Sequence, residues 1–135
     1  MKKLTDPKSV LIVDDDPIAR RNFIQICDDL KLFKNIIEAA DGKVASQKIA
    51  NQEFDLIIID LKMPKKSGLE VIRDAIYKRP NIAHKFLVIS GNVEPSTLQI
   101  IMSKNVKNIL VKPFDMDVIE NKIKSIVRLS ERVVA

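Results

Sequence analysis

Three carboxylates, one hydroxyl and one ammonium stand out for where they fall. Asp14 and Asp15 follow the apolar run at residues 10–13, Asp60 follows residues 56–59, Ser90 follows 86–89, and Lys112 follows 109–111. If those runs are neighbouring strands, all five groups surround one crevice. Carboxylates held a few ångströms apart raise one another's pKa, so such a cluster costs free energy until a cation relieves it. Magnesium suits it best, because a few carboxylates, a carbonyl and waters fit its octahedral shell, with a phosphate completing it. Manganese is an acceptable substitute, whereas zinc lacks its preferred nitrogen and sulfur ligands. With the ion held by Asp14 and Asp15, an Asp60 oxygen can attack phosphorus and form an aspartyl phosphate. Lys112 and the Ser90 hydroxyl, or nearby backbone amides, would then neutralise the remaining phosphoryl oxygens.

Each residue also has a plain structural reading. Asp14, Asp15 and Asp16 could be a capped loop before a helix, but only Asp16 suits the cap well. Asp60 could simply end a strand, yet a charge after Leu56-Ile57-Ile58-Ile59 would be half-desolvated without a partner. Ser90-Gly91 alone is an ordinary turn and Lys112-Pro113 alone a solvated strand end. Their common position at strand ends favours the chemical reading.

The elements that must position these groups follow from periodicity. Val10-Leu11-Ile12-Val13, Asn35-Ile36-Ile37-Glu38, Leu56-Ile57-Ile58-Ile59, Phe86-Leu87-Val88-Ile89 and Ile109-Leu110-Val111 read as five strands. The three four-residue runs 10–13, 56–59 and 86–89 are apolar at every position, so both their faces meet protein, as in a parallel sheet covered by helices on each side. Helices are predicted over residues 17–32, 43–51, 68–78, 95–104 and 116–132. Asp16 and Pro17 start the first, whose face would carry Ile18, Phe23, Ile26, Cys27 and Leu30; Ile119, Ile123, Ile126 and Val127 would face inward on the last. The fold class is therefore α/β: a doubly wound, five-stranded parallel sheet with right-handed crossovers, whose site lies outside the carboxyl ends of the strands.

The 135 residues suit a single domain. We expect an N-terminal arm at 1–8, the domain at 9–130 and a tail at 131–135. No apolar run approaches the roughly 20 residues of a membrane span, and no apolar segment follows the basic start, so a cytoplasmic location is expected, with no membrane partner. Cys27 is the lone cysteine and reads as helix packing. His84 has no companion ligands and reads as a solvent-facing loop residue. The net charge of +5 comes with one Tyr and no Trp, and the basic residues are dispersed, so direct nucleic-acid binding is not expected.

Taken together, Leu11-Ile12-Val13-Asp14-Asp15-Asp16-Pro17, Asp60-Leu61-Lys62-Met63-Pro64 with Gly68, Ser90-Gly91 and Lys112-Pro113-Phe114 resemble the response-regulator receiver domains of two-component signalling, over about residues 9–129. The resemblance implies a flavodoxin-like sheet in the order 2-1-3-4-5. It makes Asp60 the phosphoacceptor, Asp14 and Asp15 the acidic pair, the Lys62 backbone carbonyl a further metal ligand, and Ser90 and Lys112 the switch hydroxyl and lysine. It also implies a cis Lys112-Pro113 bond and suits Gly68 to the turn after Met63-Pro64. Expected partners are a sensor histidine kinase or histidine phosphotransfer protein, met at Ala19 and Asn22, and a downstream protein met at helix 4, strand 5 and helix 5. A phosphorylation-dependent dimer is compatible with this. One departure is Ile109, where the family often has Tyr or Phe, so switching would proceed by aliphatic repacking. Gly91 leaves the site open to water and small phosphodonors. Two other readings are a phosphatase of the haloacid dehalogenase type, disfavoured because Lys62 stands where its second aspartate would be, and a receiver-like module that binds protein without phosphorylation.

Overall fold

The computed structural model describes the backbone of residues 8–134 and the side chains of residues 8–128. Apart from Lys8, the expected N-terminal arm lies outside the described residues. Five strands, β1 (Ser9–Val13), β2 (Asn35–Ala39), β3 (Leu56–Asp60), β4 (Phe86–Ser90) and β5 (Asn108–Val111), alternate with α1 (Pro17–Leu30), α2 (Gly42–Asn51), α3 (Gly68–Lys78), α4 (Pro95–Ser103) and α5 (Met116–Val134). The sheet is parallel throughout, in the order β2-β1-β3-β4-β5.

Alternation along the central strands divides the core between the two faces of the sheet. Leu11, Ile57, Ile59, Phe86 and Val88 pack with Ala45 and Ile49 of α2, Val71, Ile72 and Ala75 of α3, and Ile101 of α4. Val10, Ile12, Leu56, Ile58, Leu87 and Ile89 pack with Phe23, Ile26 and Cys27 of α1 and Ile119, Ile123 and Ile126 of α5. This accounts for the unbroken apolar runs, since β1, β3 and β4 are sandwiched between helices. Cys27 belongs to the second layer, where burial pushes its thiol up to about 12.

Four expectations change. α1 ends at Leu30 rather than residue 32, because Lys31 takes the left-handed conformation (φ 58°) and its N–H bonds back to the Asp28 carbonyl. Ile18, expected inside, is 66% exposed: it lies in the first turn of α1 and lines a surface groove. His84 is half-buried within a short 3-10 helix (Pro80–Lys85), and burial, then Lys85, pulls its pKa down. α5 continues to Val134, through residues expected to form a tail. Among the described residues no helix is long and apolar enough to cross a membrane.

Candidate functional site

Register alone brings the acidic groups together. Val13 pairs with Ile59 across β1 and β3, so Asp14 and Asp60 leave adjacent strands at the same level. Asp15 is the next residue along, and one carboxylate oxygen from each of Asp14, Asp15 and Asp60 lies within 4.8 Å of the other two. On the other side, Asp60 pairs with Ile89, placing Ser90 one residue beyond, and Ser90 pairs with Val111, just before Lys112. The Lys112 Nζ is 3.7 Å from Asp60 Oδ2. Its backbone N–H donates to the Ser90 carbonyl at 2.8 Å, and the Lys112–Pro113 bond is cis.

Asp14 is the most constrained member. Only 1% of it is exposed. Its Oδ1 accepts from the Asp16 backbone N–H at 2.9 Å, while its Oδ2 is buried without a hydrogen-bond partner among the described residues. Burial raises its pKa, the Asp16 N–H opposes this, and the charges of Asp60 and Asp15 raise it further; Lys112 offsets part. A buried carboxylate with one unpartnered oxygen, set beside two more carboxylates, is a poor arrangement for the protein alone. It is a good one around a hard divalent ion, and the oxygen-only donor set agrees with that choice.

The remaining residues fall nearby with distinct attachments. Asp60 Oδ1 accepts from the Lys62 backbone N–H at 3.2 Å, so Lys62 turns its main chain toward the cluster while its side chain is exposed. The Ser90 hydroxyl is buried and donates to the Asn92 carbonyl at 3.3 Å. It would have to release that carbonyl to reach a group on Asp60. A Cβ on Gly91 would meet nothing within 4 Å. At Gly68 a Cβ would come within 2.3 Å of the Asp60 carbonyl oxygen, so only glycine lets α3 begin this close to the phosphoacceptor candidate.

Sequence reasoning missed the side chains that hold this arrangement. Arg20 donates from Nη1 to the Asp14 carbonyl at 2.8 Å and from Nε to Glu38 at 3.0 Å. Asp41 accepts from the Val44 N–H at 2.9 Å and lies 3.5 Å from Lys65. The Asp41-Gly42 pair before a helix was a readable cap signal; the Arg20 and Lys65 contacts join distant segments and had no local signature. Beside the cluster, α1 and the loop after β5 frame an open groove of about 760 Å³ lined by Asp16, Ile18, Ala19, Asn22, Lys112 and Phe114, among others.

Comparison with known proteins places the same fold in a family. The sequence profile of the response regulator receiver domain matches residues 10–124. Chemotaxis protein CheY of Pseudomonas aeruginosa is 30% identical over 118 residues, covering 87% of this chain and 94% of that protein. The CAI-1 autoinducer sensor kinase/phosphatase CqsS of Vibrio cholerae is 29% identical over 91% of this chain, which spans only 18% of that protein. For the transcriptional regulatory protein DegU of Brevibacillus brevis the share spanned is 48%, at 27% identity over 85% of this chain. Among solved structures, a CheY-like receiver domain protein from Methanospirillum hungatei superposes with a TM-score of 0.85 at 25% identity, over 94% of this chain and 98% of that one. A chain from the CheX-CheY-BeF3-Mg complex of Borrelia burgdorferi superposes at 0.78 with 27% identity, over 89% of each.

Proposed function

The chain belongs to the response regulator receiver domain family, and on that premise we propose that it is a phosphorylation-dependent switch whose phosphoacceptor is Asp60. The observation that carries the reading is the meeting of three carboxylates within 4.8 Å, with Lys112 Nζ 3.7 Å from Asp60, at the carboxyl edge of a parallel sheet. Asp14, Asp15, Asp60 and the Lys62 carbonyl would hold magnesium, with manganese as a substitute. Bound there, the ion would supply positive charge beside Asp60 and so offset the negative charge of an incoming phosphoryl group.

The donor is the phosphohistidine of a sensor histidine kinase or phosphotransfer protein. An Asp60 oxygen attacks phosphorus as the phosphorus–nitrogen bond breaks, and the electron pair returns to the imidazole, which then takes up a proton. Lys112, already beside Asp60, pairs with a second phosphoryl oxygen. Ser90 exchanges its bond to the Asn92 carbonyl for one to the third. Ala19 and Asn22, which line the groove that also contains Lys112, would meet the donor protein. Gly91 leaves room for small donors and for the water that hydrolyses the acyl phosphate.

Output passes to a downstream protein through α4, β5 and α5. Ile100, Met102, Val111 and Val118 of these elements are exposed apolar residues, which supports that surface. Ile109 is half-buried against the core layer that includes Ile101 of α4, so movement at Ser90 would reach α4 by aliphatic repacking. We place the protein in the cytoplasm and assign it no turnover activity. The phosphatase alternative lacks its acid, since Lys62 occupies that position.

The test is intact-mass analysis after incubation with acetyl phosphate and magnesium. The wild type should gain one phosphoryl group, and Asp60→Asn or added EDTA should abolish the gain. Equal labelling of wild type and Asp60→Asn would remove Asp60 from its role.

A further inference from the structure

The end of β2 contributes no group to the acidic cluster, yet the loops on either side of that cluster are anchored to it. The Asp14 backbone N–H donates to the Ala39 carbonyl at 3.2 Å. Glu38 takes the Arg20 Nε at 3.0 Å, and the same guanidinium donates to the Asp14 carbonyl at 2.8 Å, so one planar fork ties the first loop to β2. The Lys48 ammonium in turn holds the Glu38 backbone carbonyl, at 2.6 Å. Three residues on, Asp41 caps α2 and lies 3.5 Å from Lys65 of the loop after β3. Gly42 fits so closely against that loop that a Cβ there would sit 1.9 Å from the Lys66 carbonyl oxygen.

We propose that residues 38–42 form a positioning clamp, which fixes the separation of the loop bearing Asp14 and Asp15 from the loop bearing Lys62, and so tunes the affinity of the site for its cation. This rests on the magnesium-dependent reading above. Arg20, Glu38, Asp41 and Lys65 act through the ligands and touch neither ion nor phosphoryl group. Partners that orient metal ligands typically change metal affinity by roughly 10- to 100-fold when removed. The Arg20 fork is 18% exposed and should approach that range, whereas the Lys65 side chain is 67% exposed, and its pairing with Asp41 should matter less.

The experiment is calorimetric titration with magnesium chloride, beside thermal unfolding in EDTA and acetyl phosphate labelling at varied magnesium. Arg20→Ala should weaken magnesium binding about tenfold, and Arg20→Lys should not restore it, because an ammonium cannot reproduce the fork. Glu38→Gln, at an exposed position, should weaken it in the same direction. Asp41→Asn, which keeps the cap, and Lys65→Met should each weaken binding roughly two- to threefold and should not add when combined. The magnesium concentration giving half-maximal labelling should rise in step, with the maximal rate kept. Variants that melt earlier in EDTA but bind magnesium as tightly as wild type would overturn the clamp and leave the receiver reading standing. A wild type that neither binds magnesium nor labels would overturn that reading and the clamp with it.

Discussion

Asp14 is a residue whose placement costs the fold free energy unless something else relieves it. Its side chain is buried, one of its oxygens has no hydrogen-bond partner among the described residues, and two further carboxylates stand within 4.8 Å. Burial, and to a lesser degree its acidic neighbours, raise its pKa above that of the unfolded chain. The folded protein therefore keeps a proton on Asp14 across a range of pH in which the unfolded chain has already released it. In metal-free protein the stability attributable to this group is present below the unfolded value and falls as pH rises through the raised one. Asp14→Asn removes the charge while keeping the size, so at neutral pH and in EDTA it should be more stable than wild type. The gain should be read as a higher Tm than that of the wild type under the same conditions. The same variant should bind magnesium poorly. A lower melting temperature in EDTA would mean that the carboxylate is satisfied in some other way.

At the scale of elements, the start of α3 matters most, because that helix begins against the end of β3, the strand that carries Asp60. Ser67 accepts from the Glu70 backbone N–H, and Glu70 accepts from the Ser67 N–H, each at 3.2 Å, closing a reciprocal cap. Ser67→Ala should cost about 1 kcal/mol, read as an earlier urea midpoint with an unchanged slope; no shift would mean that solvent replaces the cap freely. Elements of this kind were legible in the sequence wherever the signal is local. Leu56-Ile57-Ile58-Ile59 announces a strand covered on both faces, and Asp16-Pro17 announces the start of α1. The end of α1 was not legible, because Lys31 at φ 58° has none of the glycine signature that usually marks such a stop. The short helix holding His84 escaped notice, since six residues carry too little periodicity to detect. Asp14, Asp15, Asp60, Ser90 and Lys112 could be read because each is tied to a strand end. Arg20 and Lys65 could not, because they matter through contacts with Glu38 and Asp41, residues far along the chain.

On the scale of the whole molecule, the acidic cluster lies at the carboxyl ends of β1 and β3, which are neighbours in the sheet. An ion held by Asp14, Asp15 and Asp60 would cross-link loops from separate strands, segments that separate only when the entire sheet unfolds. Binding that requires the native state stabilises it by RT ln(1 + [L]/Kd), about 1.4 kcal/mol at ten times the dissociation constant. Magnesium at that excess should therefore raise the single melting transition by several degrees. The rise should grow logarithmically with concentration and be lost when Asp60→Asn and Asp14→Asn are combined. Sodium chloride of equal ionic strength should produce none of it, because simple screening acts on the dispersed surface charges and does not reproduce coordination by three carboxylates at once. A shift that sodium chloride reproduces, or that survives the double substitution, would place the cation on the surface of the protein and not between β1 and β3.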